Sequence, residues 1–160
     1  MDKKSIFFVV PAYNEATVLR ATLEPLIEAG YPVVVVDDGS SDGSWEILGT
    51  LPVYALRHPI NLGQGAALQT GTLAALARGA KVVVHFDADG QHQVEDVRGL
   101  LEPVLAGEAD VALGSRFMRH DDRKEVPLSK RALLKMAIIL NGAMTGLWLT
   151  DAHNGLRVLS

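Results

Sequence analysis

The chain alternates short apolar runs with longer stretches in which apolar residues recur at helical spacing. The short runs are rich in valine, isoleucine and phenylalanine, and they predict strands at 6–10, 33–36, 53–56, 82–86, 111–113 and 155–159. The stretches between them predict helices at 18–30, 45–48, 63–79 and 94–107. Strands that alternate with helices indicate an α/β domain with a mostly parallel sheet and helices on both of its faces.

Clusters of polar residues follow three of the predicted strands, at 11–15, 37–43 and 87–91. In a mostly parallel sheet, the carboxyl ends of the strands form the ligand-binding edge. The third cluster contains two carboxylates one residue apart, Asp87 and Asp89. Because alternate residues of an extended chain point the same way, we expect these carboxylates to converge. Two neighbouring negative charges favour a cation between them, and oxygen ligands suit Mg2+ or Mn2+ together with a phosphorylated substrate.

Composition narrows the class of protein. A chain of 160 residues fits one domain, which we expect to span residues 1–160, and its 48% hydrophobic residues suffice for a core. A net charge of −4 without a basic tail argues against nucleic acid as a partner. The absence of cysteine excludes disulfides, thiolate metal sites and a cysteine nucleophile. The first apolar run stops at Pro11, too short for a secretory signal, so we expect a cytoplasmic protein.

Residues 132–149 form a longer apolar segment that contains Lys135 and Asn141. The segment approaches the length of a membrane span, but its polar residues argue against a free one. Four basic residues precede it: Arg123, Lys124, Lys130 and Arg131. An apolar helix with basic flanks can lie in a membrane interface. Two interpretations therefore stay open, a helix at the cytoplasmic face of a membrane and a helix of the protein core.

Five motifs occur in order along the chain: VVPAYNE at 9–15, VDDGS at 36–40, NLGQG at 61–65, DADGQ at 87–91 and GSRF at 114–117. Together they resemble a family 2 inverting glycosyltransferase of the GT-A fold, which has a Rossmann-like sheet. The nearest branch resembles dolichyl- or polyprenyl-phosphate sugar synthases. The resemblance implies a nucleotide-diphosphate sugar as donor. Family members continue beyond a strand like the one predicted at 155–159, with helices that complete the acceptor site.

The resemblance implies roles for residues of three motifs. It assigns the nucleoside to Pro11, Tyr13, Glu15, Val36 and Asp38. It assigns the ribose and phosphate end to Asp87 and Ala88. It assigns the metal, Mg2+ or Mn2+, to Asp89 and Gln91, and we expect Asp87 to bind the metal as well.

The first two motifs also have a physical interpretation. Ala12 lies between Pro11 and Tyr13, where a backbone turn and an aromatic ring can hold a flat base. On the second predicted strand Val36 and Asp38 share a face, so a backbone group and a carboxylate can bracket a nucleoside. Asp37, on the other face, is expected to be structural. Loss of Asp38 is expected to weaken binding with little effect on stability.

Three residues are candidates for catalysis: Asp89, Arg116 and Asp151. A metal held by Asp89 would stabilise charge on the departing nucleotide, assisted by Arg116, whose guanidinium suits bidentate phosphate contact. Asp151 lies near the expected acceptor and suits a base, an acceptor contact, a second metal contact or the cap of a turn. A lipid phosphate is already ionised and needs no general base, and no clear base for a hydroxyl is evident. This favours a polyprenyl or dolichyl phosphate at a membrane surface as acceptor.

Some alternatives stay open. A nucleotide-sugar-binding module without turnover, or a transferase acting on a saccharide hydroxyl, fits the same motifs. The sequence does not distinguish UDP from GDP donors. Gly63 and Gly65 open a helix and suit either phosphate binding or close packing. Gln64 stands where family members often have lysine. The five histidines show no ligand spacing, so we expect surface or hydrogen-bonded side chains.

Overall fold

The structure of the protein is a computed structural model. It describes residues 2–90, 94–114 and 155–160. The strands in this part of the chain are β1 Ile6–Ala12, β2 Val33–Asp37, β3 Tyr54–Arg57, β4 Val82–His85, β5 Val111–Leu113 and β6 Arg157–Leu159. The helices are α1 Leu19–Glu28, α2 Ser44–Leu48, α3 Gln64–Leu76 and α4 Val94–Leu105, and a 3-10 turn spans Lys3–Ser5. The predicted elements are all present, with ends that differ by one to three residues at most positions.

The six strands form one sheet in the order β3-β2-β1-β4-β6-β5. The pairs β1–β2, β1–β4 and β2–β3 are parallel, whereas β4 and β6 are antiparallel. The prediction of a mostly parallel sheet is therefore confirmed. In this order β1 lies beside both β2 and β4, so the carboxyl ends of these three strands meet at one edge.

Strand β1 continues two residues beyond its predicted end and includes Pro11. Along β1 the even residues bond to β2, as in the bond from Asp38 N to the Ala12 carbonyl, and Val9 bonds to the β4 side. Pro11 therefore faces the β4 side, where the pairing has already ended opposite Val9. Because no ladder hydrogen bond is needed there, the missing proline N–H costs nothing.

Hydrophobic cores lie on both faces of the sheet, as predicted. In β2, Val33 and Val35 belong to the core under α1, α2 and α4, and Val34 and Val36 belong to the core under α3. Helix α3 packs closely because it presents Gly71, where a β-carbon would overlap the side chain of Val9. The small residues of this helix thus bring its first turn against the ends of the strands.

The chain groups into two compact units, Met1–Ala112 with Leu156–Ser160, and Leu113–Gly155. The cleft described below belongs entirely to the first unit. The apolar segment 132–149 lies outside the described residues, and the single domain expected over 1–160 stays a prediction. Among the helices that the structure describes, none combines the length and apolar character needed to cross a bilayer.

Candidate functional site

An open cleft of about 420 Å³ lies at the edge where β1, β2 and β4 end and α3 begins. This volume lies within the range of small-molecule sites in proteins. The residues that line the cleft are Pro11, Ala12, Tyr13, Glu15, Asp38, Asn61, Gly63, Gln64, Ala67, Asp87, Ala88 and Asp89. Parallel strands that end at one edge have brought distant segments of the chain together.

Eight of the residues predicted for the site line this cleft: Pro11, Ala12, Tyr13, Glu15, Asp38, Asp87, Ala88 and Asp89. Val36 does not line it, because its side chain is fully buried in the core under α3. Gln91, Arg116 and Asp151 lie outside the described residues. The roles assigned to all of these residues stay predictions.

Asp38 is buried and accepts hydrogen bonds at both carboxylate oxygens. Its Oδ1 contacts Nδ1 of His58 at 2.7 Å and the N–H of Leu62 at 3.0 Å, and its Oδ2 accepts from the N–H of Gly63 at 2.7 Å. Burial acts to raise the pKa of Asp38, but the hydrogen bonds from Leu62, His58 and Gly63 outweigh it and lower that pKa. Asp38 is thus held as a carboxylate.

The same contacts bear on two expectations from the sequence. Gly63 immediately precedes α3, and the N-terminus of a helix favours anions. The anion that the Gly63 N–H contacts here is a side chain of the protein itself, the Asp38 carboxylate. The expectation that loss of Asp38 costs little stability is inconsistent with the structure, since the N–H of Leu62 and Nδ1 of His58 would both lose this acceptor. The N–H of Gly63 would keep its second acceptor, Asn61 Oδ1 at 3.0 Å.

Asp37 points to the opposite face of the sheet and is fully buried. Its Oδ2 lies 3.0 Å from Nε of Arg57, and its Oδ1 accepts a hydrogen bond from Ser40 N at 3.2 Å. Arg57 also donates to the Ser40 carbonyl and lies over the ring of Trp45. These contacts join the end of β2 to β3 and agree with the expected structural role of Asp37.

His58 is a buried residue at this edge that sequence reasoning did not assign to the site. Its side chain connects Asp38 to Thr70 of α3, with Nε2 at 2.9 Å from Thr70 Oγ1. The expectation of a hydrogen-bonded histidine is confirmed, but no local signal links residues 38, 58 and 70. Their meeting follows from the packing of α3 on β2, beside which β3 ends at Arg57, the residue before His58.

The backbone of the loop after β1 donates hydrogen bonds to side chains of the loop after β2 and of Ser44, the first residue of α2. Asn14 N donates to Ser40 Oγ, Glu15 N to Ser44 Oγ, and Ala16 N to Asp42 Oδ2, at distances of 2.9, 3.1 and 2.9 Å. Hydrogen bonds from Ser44 and Ala16 lower the pKa of Asp42. This second loop therefore positions Tyr13 and Glu15 in the cleft.

Asp87 and Asp89 line the cleft, but not as alternate residues of a strand. Strand β4 ends at His85, and Asp89 lies in a turn before Gly90, whose φ is +73°. The geometric reason given by the sequence pattern was therefore wrong, because the turn sets the direction of Asp89. Gln64 Nε2 donates to Asp87 Oδ1 at 2.8 Å.

The turn is also held from the side of α1. Thr22, which is buried, places its Oγ1 within 3.0 Å of the Val18 carbonyl and 3.3 Å of the Ala88 carbonyl. A single hydroxyl proton is thus shared between the helix and the turn. This contact was not expected from the sequence.

The donor set of the cleft suits one mode of metal binding. The described residues contain no group of three or more histidine, aspartate or glutamate side chains placed to hold a metal ion. Two carboxylates, Asp87 and Asp89, do line the same cleft. Mg2+ and similar ions are commonly bound by one or two carboxylates together with water and substrate phosphates. The residues therefore fit an ion that arrives with a phosphorylated ligand.

Sequence comparison matches almost the whole chain to one family of proteins. The model of "Glycosyl transferase family 2" matches residues 7–160. An uncharacterized protein of Methanocaldococcus jannaschii is 42% identical over all of this chain and 66% of its own length. UDP-N-acetylglucosamine–dolichyl-phosphate N-acetylglucosaminyltransferase of Methanococcus voltae is 30% identical over all of this chain and 71% of its own length. The chain thus spans about two thirds of the length of these relatives.

Structural comparison supports the fold. Glucosyl-3-phosphoglycerate synthase from Mycobacterium tuberculosis, solved with Mn2+, UDP and glucosyl-3-phosphoglycerate, superposes with a TM-score of 0.68 at 21% identity. The match covers 98% of this chain and 57% of that one. At this identity the likeness concerns the fold alone, and it confirms the predicted GT-A architecture.

Proposed function

Because the chain belongs to glycosyltransferase family 2, we propose that it binds a UDP- or GDP-linked sugar in the cleft and transfers the sugar, with inversion, to a polyprenyl or dolichyl phosphate. The observation that carries this proposal is the convergence of an aromatic side chain, acceptor groups and two carboxylates on one cleft. Tyr13, Glu15 and Asp38 line it together with Asp87 and Asp89. A protein that binds a nucleoside diphosphate together with a metal ion needs these chemical groups.

The nucleoside end of the donor is assigned to the loops after β1 and β2. The Tyr13 side chain is 48% exposed, which leaves a ring face available for stacking on a base. Asp38, held as a carboxylate, can only accept hydrogen bonds, so it suits the N–H or O–H donors of a nucleoside. Pro11, Ala12 and the backbone at Val36 complete this part of the proposal.

The diphosphate end is assigned to the turn after β4. Asp89 and Asp87 would hold Mg2+ or Mn2+, with Gln91 as a further ligand. When bound, the metal would supply Lewis-acid stabilisation of the charge that grows on the departing diphosphate. Gln64 orients the Asp87 carboxylate, and Arg116 is proposed as a cation for the same phosphates.

Two observations favour a lipid phosphate as the acceptor: its phosphate is ionised, and one relative is named for such an acceptor. A lipid phosphate is ionised at neutral pH, so its oxygen can attack the sugar without a general base. The Methanococcus voltae relative is named for a dolichyl-phosphate acceptor. Asp151 is a candidate acceptor contact, and the segment 132–149 would meet the cytoplasmic face of a membrane.

A transfer assay tests this function. The protein would be incubated with UDP- or GDP-sugars and polyprenyl phosphate in detergent, with Mn2+, and the lipid-linked sugar would be measured. We expect product with at least one donor and strong loss in Asp89→Asn. Transfer only to a soluble saccharide hydroxyl would overturn the acceptor. Nucleotide binding without transfer would instead indicate a binding module.

A further inference from the structure

The proposed function leaves one buried titratable side chain beside the cleft without a role. His58 is 8% exposed and joins Asp38, which lines the cleft, to Thr70, which lies on α3. Both ring nitrogens of His58 are therefore engaged. A histidine placed between a carboxylate and a hydroxyl can fix the position of either group.

The hydrogen-bond partners define the proton positions in this chain of residues. Asp38 receives N–H groups from Leu62 and Gly63, and its lowered pKa keeps it ionised. An ionised carboxylate only accepts, so His58 Nδ1 carries a proton and donates to Asp38. In the neutral ring, Nε2 then accepts from the Thr70 hydroxyl.

The Asp38 carboxylate has one hydrogen-bond acceptor position that these protein groups do not occupy. A carboxylate has about four acceptor positions. His58 and Leu62 occupy those of Oδ1, and Gly63 occupies one on Oδ2. The remaining position on Oδ2 is the one that a nucleoside donor can use.

We propose that His58 is a positioning residue for nucleotide binding: anchored by Thr70, it holds the Asp38 carboxylate so that Oδ2 presents an acceptor to the cleft. The proposal rests on the proposed function of the cleft. Its ligand is the base or ribose of a nucleoside diphosphate. His58 itself does not line the cleft and acts through Asp38.

The chain offers a matched control on the same helix. Thr72 Oγ1 lies 3.0 Å from His85 Nε2, so α3 makes a second threonine–histidine contact two residues further on. Neither Thr72 nor His85 lines the cleft. Burial, with a contribution from Arg157, lowers the pKa of His85. Loss of this contact should therefore affect packing without affecting the cleft.

Two substitutions of His58 separate its two hydrogen bonds. In His58→Asn the amide nitrogen takes the place of Nδ1 and can still donate to Asp38. In His58→Gln the amide lies nearer the place of Nε2 and can still contact Thr70. The Kd for UDP and GDP would be measured by calorimetry for both variants, together with Thr70→Val and Thr72→Val, and the Tm of each would be recorded.

The proposal predicts that His58→Gln weakens nucleotide binding about tenfold, as for one lost hydrogen bond to a charged group. His58→Asn should stay within about threefold of the original protein, and Thr70→Val should show a similar small loss. Thr72→Val should lower Tm without changing Kd. Equal Kd values for the Asn and Gln variants, or losses that follow Tm in all four, would overturn the positioning role. If the unaltered protein binds no nucleotide, the proposed function fails, and this inference fails with it.

Discussion

Two pairs of carboxylates lie at the carboxyl ends of two strands of the same sheet, and their surroundings differ. Asp37 and Asp38, at the end of β2, are buried and contact Arg57, His58 and the backbone at residues 40, 62 and 63. Asp87 and Asp89, after β4, lie in a partly exposed and an exposed position in the cleft. The first pair organises the cleft from within, and the second faces the space in which a ligand would lie.

The difference shows how one sheet edge can combine rigidity and binding. Buried carboxylates are tolerated when hydrogen bonds or an opposite charge compensate them, as Arg57 does for Asp37, and these contacts tie their loops to the fold. Carboxylates that line a cleft remain accessible to a metal ion that arrives with a ligand. Changes at the two pairs should therefore separate loss of stability from loss of ligand binding.

The largest expected effect concerns the glycine that follows each pair. Gly39 and Gly90 both have positive φ, +76° and +73°. A β-carbon on Gly39 would lie 2.7 Å from the Ile60 carbonyl carbon, whereas one on Gly90 would lie 3.6 Å from Thr22 Oγ1. Gly39→Ala should therefore cost roughly 2–4 kcal/mol, and Gly90→Ala about 1–2 kcal/mol. Urea denaturation of both variants measures this, and equal losses would contradict the tighter packing of the first turn.

The second prediction compares the buried and the exposed carboxylates directly. Asp37→Ala should lower the free energy of unfolding by roughly 1–3 kcal/mol, because Arg57 and Ser40 N lose their partner. The loss is limited because the Arg57 side chain is 41% exposed and can be hydrated. Asp89→Asn should cost less stability than Asp37→Ala, because Asp89 is exposed and asparagine has nearly the same shape. Chemical denaturation decides between these outcomes, and a larger loss in Asp89→Asn would reverse the comparison.

The third prediction separates the two members of the buried pair. Asp38→Ala should weaken nucleotide binding by roughly 1–3 kcal/mol, because a ligand donor loses its acceptor, and it should also lower stability. Asp37→Ala is the matched control and should bind nucleotide with nearly unchanged affinity once folded. Calorimetry on both variants tests this. If only Asp37→Ala weakened binding, the assignment of Asp38 to the nucleoside would be wrong.

The smallest effect is a dependence of stability on pH. Because the folded-state pKa of Asp38 is lowered from 3.8, its contribution is fully present above that value and is lost as pH falls through the lowered pKa. The original protein should thus be more stable than Asp38→Asn at pH 6, and the gap should narrow in acid. Denaturation curves at both ends of this range provide the measurement. A gap that widens below pH 4 would show the opposite sign of linkage.

The sequence predicted the elements and the cleft edge well, since both follow from local patterns. The valines of β2 and the spacing of α4 define those elements, and strand order places polar residues together. The direction of Asp89 and the contact between His58 and Asp38 were not predictable. The first depends on a turn beyond the strand, and the second depends on how α3 packs across two strands.

The cleft is proposed to bind a nucleoside diphosphate through a metal held by Asp87 and Asp89. This proposal is tested most directly by thermal unfolding with UDP or GDP, with Mn2+ and with excess chelator. At saturating nucleotide we expect a few kcal/mol of stabilisation with Mn2+, as ligand linkage requires, and only a small part of it with chelator. Asp89→Asn should lose most of the metal-dependent increment while folding normally. Equal stabilisation by nucleotide in the presence and absence of Mn2+ would contradict the account.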